Sequence, residues 1–209
     1  MQTLERSEGH KGGLRGDELI GFFESQIIFR KVLDAMARPG KIVELPDLEI
    51  NAPTKNKFPC LVLLTFLDSH VKFKVLDIDN KVDSEEIAGY ISSSTGSQEA
   101  SVENSDFILI YGGSAGGLIR RMKKGSPKYP DESTTLIYDV ESIGEDGVLM
   151  TLSGPGICSD HRLAVKGIEE AEITELISVN RDFPMGIDAI FSDKNGKVVC
   201  IPRSTTVSC

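Results

Sequence analysis

Strand-like and helix-like segments alternate along most of this chain, an order that admits few folds besides a sheet with helices packed on it. From Asp17 the positions Phe22, Gln26, Phe29, Leu33 and Met36 step by four and three. That spacing puts Phe22, Phe29, Leu33 and Met36 on one stripe of a helix. Pro39-Gly40 closes it, because proline disfavours helical geometry at Arg38 and glycine permits a turn. Lys41 to Leu45 alternates as a short strand. PCLVLLTFLD fits a buried strand or a short buried helix by period alone, and helix is expected because VKFKVLD directly after it alternates like a half-exposed strand. Ser84, or Asp83 beside it, caps a helix over EEIAGYISS, and DFILIY from Asp106 to Tyr111 is a strand.

The second half continues the pattern. GGSAGG opens a further helical stretch, LIRRMKKG, ended by Gly125 and by the prolines at 127 and 130. Thr134 to Val140 and Val148 to Ser153 flank the turn signal IGEDG, so the spacing predicts an antiparallel pair. A charge-flanked helix covers about Glu169 to Val179. The C-terminal end reads as a hairpin, GIDAIF and KVVCIP around SDKNG, where Asn195-Gly196 supplies the positive backbone angles such a loop needs. The expected class is α/β, a three-layer α/β/α sandwich with a mixed sheet.

At 209 residues the chain holds one core, since domains run to roughly 150 residues. We expect a disordered tail over 1–16, MQTLERSEGHKGGLRG, which has no apolar centre for a signal peptide, and a single domain over 17–209. The longest apolar run, Phe58 to Leu67, is too short to span a bilayer, so no membrane is expected. With 23 basic and 32 acidic side chains the net charge is -9, a field that repels nucleic acid. Cys60, Cys158, Cys200 and Cys209 are widely spaced with no CxxC pair, as expected of reduced thiols in a cytoplasm.

Gly112 to Gly116 fits G-x-S-x-G between an apolar strand and a helical segment, the setting of a nucleophile elbow. A serine hydrolase would use Ser114 with His161 as base and Asp139 or Asp146 to orient it. The plainer alternative is a glycine-rich loop closing a strand, since glycine and serine are abundant here. As a phosphate cradle the loop lacks the Lys-Ser/Thr of a Walker sequence. Cys158 and His161 make two ligands, too few for zinc. Arg120, Arg121, Lys123, Lys124 and Lys128 form a basic run that could receive a polyphosphate or an acidic partner, or face water and offset a helix dipole. Arg30 borders the apolar stripe of the first helix, and Arg203 precedes Ser204, Thr205 and Thr206. Guanidinium forks and hydroxyls suit phosphate or phosphonate oxygens, although Arg30 could equally rest its stem on the core and Arg203 be an exposed tail charge.

Four segments, IFRKVLDAMARPGKIVEL near the start, LSGPGI at 152–157, FPMGIDAIF at 183–191 and the terminal IPRSTTV, together resemble the PhnH family of phosphonate metabolism proteins. That family is the H subunit of the bacterial carbon-phosphorus lyase system, so the resemblance implies a subunit of that kind. The resemblance runs from about residue 17 to the end. It implies a cytoplasmic protein whose sheet is reminiscent of the large domain of pyridoxal-phosphate transferases, without that cofactor. It also implies a homodimer in isolation and an assembly with the G, I and J subunits, which transfers the ribose triphosphate moiety of ATP to an alkylphosphonate. The matching polar residues, Arg30, Asp188, Arg203 and Thr205, become candidate contacts for a small phosphate or phosphonate. Gly154, Gly156 and Gly186 become positions where a side chain would obstruct a turn. No catalytic residue, metal or cofactor is expected in this subunit: the residues offer no cysteine cluster for a radical centre and no lysine in a Schiff-base setting. The basic segment from Lys123 to Tyr129 does not align. The hydrolase alternative loses ground, because the family pattern does not require G-x-S-x-G at this loop. A third possibility is a scaffold that only docks other subunits.

Overall fold

The computed structural model describes residues 21–209; the tail expected over 1–16 lies outside the described residues. The chain enters through α1 (Phe22–Ala37), which stops where the sequence places Pro39-Gly40, and passes a two-residue strand β1 (Val43–Glu44). PCLVLLTFLD is helical, as expected: α2 (Phe58–Phe66) carries proline in its first turn and buries Phe58 through Leu63. Then come β2 (Lys72–Asp77), α3 (Ser84–Thr95), β3 (Gln98–Glu99) and β4 (Phe107–Tyr111). Asp83 is the cap of α3, its carboxylate accepting from the Glu86 N–H at 3.0 Å.

β5 (Thr135–Val140), β6 (Ser142–Ser153), β7 (His161–Lys166), α4 (Glu170–Val179), β8 (Asp188–Asp193), β9 (Lys197–Ile201) and β10 (Thr206–Ser208) complete the order. The β8–β9 hairpin forms as read from SDKNG, with Asp193 Oδ1 accepting from the Asn195 and Lys197 N–H groups. Among the described residues, seven strands make a mixed sheet in the order β1-β9-β8-β5-β4-β2-β3, parallel from β8 to β3, and β10-β6-β7 make a second, antiparallel sheet.

The central strands are apolar on both sides because both sides are covered. Leu109, Ile137 and Ile190 face a core with Ile28 and Val32 of α1, Leu61 and Leu63 of α2 and Ile87 and Ile91 of α3. Ile108, Ile110, Leu136 and Phe191 face the opposite core, which holds Ile173 and Leu176 of α4 and Met150, Leu152, Leu163 and Val165 of the small sheet.

Two sequence expectations are corrected. The 134–140 and 148–153 segments do not pair with each other: β5 lies parallel between β4 and β8, and β6 pairs antiparallel with β7. A strand apolar on both faces needs neighbours within a covered sheet, whereas Met150 and Leu152 bury one side of β6 only. IGEDG is therefore a register shift inside β6, between Ile143 and Val148, and the chain changes sheet at the single residue Glu141. LIRRMKKG is not a helix either; it keeps one 3-10 turn at Ile119–Arg121, then extends at Met122 and bridges Lys124 to Ser133. So few residues between glycines cannot repay helix nucleation.

Candidate functional site

The four segments that carry the family resemblance come from three separate stretches of the chain, the last two joined by the β8–β9 hairpin, and meet at one corner of the molecule. Asp188 opens β8, and Arg203 lies in the turn between β9 and β10. Asp188 Oδ1 accepts from the Arg203 backbone N–H at 2.7 Å and from Nε at 3.1 Å, while Oδ2 accepts from Nη2 at 2.5 Å. Arg203 Nη1 donates to the Pro130 carbonyl. Three N–H groups of the fork are thereby committed within the protein, and the pair is largely buried.

The glycines explain why the segments can approach so closely. A Cβ on Gly186, at φ +151, would sit 2.5 Å from Asn180 Oδ1 and 3.1 Å from Arg203 Cβ. Asn180 follows α4 and holds Ile187 by both its N–H, at 2.7 Å, and its carbonyl, at 3.0 Å. Gly154 faces the Ser204 carbonyl, and Gly156, at φ +85, packs on the Ala37 carbonyl and the Pro39 ring at the end of α1.

A cleft of about 300 Å³ opens beside this knot, lined by Asn180, Arg181, Phe183, Arg203, Thr205 and Thr206 among others. Thr205 is 7% exposed, and its Oγ1 is buried with no hydrogen-bond partner among the described residues. Arg181, exposed at the rim, makes no ion pair among the described residues. Sequence reasoning missed it, although a cation just past the predicted helix end at Val179 was there to be noticed. A free guanidinium beside an unpartnered hydroxyl can bind an oxyanion. Arg30 is not brought to this cleft: it is exposed on α1, which covers the other face of the sheet.

The hydrolase alternative is not supported. Ser114 Oγ accepts from the Gly116 N–H at 3.2 Å and reaches Glu172 Oε2 at 3.5 Å, so its neighbour is a carboxyl and not an imidazole. Glu172, 3% exposed, accepts from the Ala115 N–H at 3.0 Å and the Tyr138 hydroxyl at 2.7 Å. Burial holds its carboxyl above the usual range. His161 begins β7 and packs against Gly40, while Gly113 packs on Gly167 past the other end of that strand, roughly 20 Å away for six extended residues. Asp139 accepts from Asn56 and Asp146 from Ser142, neither from His161. The loop is a strand-closing turn latched to α4.

The basic run is largely consumed in pairs with other elements. Arg120 meets Glu175 at 3.1 Å, Arg121 meets Glu103, and Lys123 meets Asp106. Lys128 lies over the Tyr129 ring.

Comparison with known proteins agrees with the four segments. The family model described as bacterial phosphonate metabolism protein (PhnH) matches residues 21–208. The chain is 30% identical over 185 residues to the alpha-D-ribose 1-methylphosphonate 5-triphosphate synthase subunit PhnH of Rhizobium meliloti (strain 1021), covering 88% of this chain and 90% of that one. It is also 30% identical over 183 residues to a protein of Stutzerimonas stutzeri named as the C-P lyase subunit HtxG, covering 88% and 85%.

Proposed function

The chain belongs to the bacterial phosphonate metabolism protein (PhnH) family, and from that membership we propose that it is the H subunit of a carbon-phosphorus lyase system. In this reading it works with partner subunits to move the ribose triphosphate moiety of ATP onto an alkylphosphonate, which would give the ribose 1-methylphosphonate 5-triphosphate for which its Rhizobium relative is named. One observation carries the reading: the match to that synthase subunit extends over nine-tenths of both chains. The convergence of the four motif segments at a single corner supports it, because a shared corner is what a shared task would preserve.

The subunit's contribution is a platform and not a reactive centre. Thr205 and Arg203 at the corner, with Arg181 added from the structure, are the anion contacts; Asp188 orients Arg203 by holding its fork. Arg30 acts elsewhere, on the exposed side of α1. That helix also presents Phe23, Ile27, Phe29 and Leu33 to solvent, the apolar surface a homodimer or a G, I or J partner would cover. No helix among the described residues is long and apolar enough to cross a membrane. We place the protein in the cytoplasm, with no metal or cofactor of its own. The three-layer arrangement, with its likeness to the large domain of pyridoxal-phosphate transferases, belongs to the same reading. Co-expression with the G, I and J subunits tests it: a complex that retains this chain through gel filtration is expected, and a chain that elutes apart from all three contradicts it.

A further inference from the structure

A second cleft lies at the opposite end of the sheet from the corner. Asp188 stands across from Thr135 at the start of β5, whereas Asp139 and Ser192 stand level near the other end of the same two strands, roughly 13 Å further along. Here the parallel strands end. From β2 the chain goes to β3 on one side and then crosses back to β4 on the other. Such a reversal of direction opens a crevice at the carboxyl ends of the strands, the usual ligand position in an open α/β sheet. The cleft measures about 560 Å³, a size that suits a small metabolite.

Its chemistry is two-sided. Asn56 is buried; its Oδ1 accepts from the Phe58 N–H at 3.1 Å, which fixes the amide, and its Nδ2 donates to Asp139 Oδ1 at 2.6 Å. The hydrogen bond of Asp139 to Asn56 uses Oδ1; Oδ2 makes none among the described residues, and the half-buried side chain lines the cleft. Lys55 and Lys194, both exposed at the same cleft, have no acidic partner among the described residues, and Lys81 at the rim pairs with Asp79 at 2.8 Å. Glu141 and Glu169 also line it. A plain anion would meet repulsion from these carboxylates, and an uncharged polyol would leave the ammonium groups idle. A molecule that is anionic at one end and carries hydroxyl groups at the other satisfies both.

We propose that this cleft binds a phosphomonoester of a hydroxylated small molecule, its phosphate held by Lys55 and Lys194 and a hydroxyl donating to Asp139 Oδ2. Burial pushes the Asp139 carboxyl up to about 6, so the group sits in a setting that charges it at a cost, as binding and catalytic carboxyls often do. The inference requires this chain alone and can fail while the assembly role stands.

The test is titration of the full chain with ribose 5-phosphate, with inorganic phosphate and free ribose as controls that each carry half of the chemistry. Saturable binding of ribose 5-phosphate at millimolar concentration or below is expected, tighter than either control. The double change Lys55→Ala, Lys194→Ala should weaken it by about tenfold or more, and so should Asp139→Ala. Asp139→Asn should weaken the sugar phosphate and leave inorganic phosphate no weaker. Arg162→Ala, an exposed cation outside both clefts, should change nothing. Thermal melting of each variant checks that it is folded, and the two lysines are surface side chains whose removal leaves the core intact. No saturable binding to the parent protein would overturn the proposal. So would affinity that survives loss of both lysines and disappears with Arg181→Ala, which would put the anion at the other corner.

Discussion

Asp188 takes both the backbone N–H and the side-chain fork of Arg203, closing the end of β9 onto the start of β8 with three hydrogen bonds between two residues fifteen positions apart. Both residues stand in segments that carry the family resemblance, and the pair joins those two segments directly. Its partial burial raises the cost of breaking it, because either partner alone would be a charge left with poor hydration. Asp188→Ala and Arg203→Ala are each expected to lower stability by about 2–4 kcal/mol, and the double variant by less than their sum. Urea unfolding of the set measures it. Arg203→Lys should recover little, since an ammonium cannot reproduce the fork.

Gly156 tests the packing of the corner. A Cβ there would run into the Ala37 carbonyl, in a backbone region that L-residues rarely adopt. Gly156→Ala should cost about 2 kcal/mol or more and loosen the end of α1, read as a lower melting temperature and faster amide exchange at Ala37 and Arg38.

Stability should vary with pH in a direction set by buried carboxyls. Asp139 titrates at about 6 in the folded protein against 3.8 for an unburied aspartate. Between those values the native state holds a proton that the unfolded state has released, so stability falls as pH rises from about 4 to 6 and stays lower above it. The contribution is on the order of 2–3 kcal/mol. Asp139→Asn should remove that part of the slope and melt higher than the parent at pH 7 to 8. Glu172, also raised by burial, adds a slope of the same sign.

The Ser114 loop should prove structural. Glu172→Ala leaves the Ala115 N–H and the Tyr138 hydroxyl without their buried acceptor and is expected to cost about 2–4 kcal/mol, while Glu172→Gln retains an acceptor and costs less. Ser114→Ala should change stability by under about 0.5 kcal/mol and leave growth on methylphosphonate unaffected. Loss of that growth would revive a chemical role for the hydroxyl.

What was legible in the sequence depended on how local its cause was. The β8–β9 hairpin was readable because Asn195-Gly196 and the flanking alternation sit within fourteen residues, and α2 because a strand had to follow it at once. The pairing of β6 was not readable. Its partner β7 begins with the polar His161 and Arg162, and the turn-like IGEDG nearby suggested a hairpin that burial on both faces of β5 rules out. At the corner, Asp188, Arg203 and Thr205 were each marked by resemblance, but nothing in their spacing said that the first two would consume each other's hydrogen bonds. Asn56 and Asp139, 83 positions apart, carried no shared signal at all.

The most direct measurement of the central claim is an omission assay. The G, I and J subunits are purified with and without this chain, supplied with ATP and methylphosphonate, and ribose 1-methylphosphonate 5-triphosphate is followed by phosphorus NMR. The account predicts product only when the chain is present, and none from the chain alone. Equal product in its absence would contradict it.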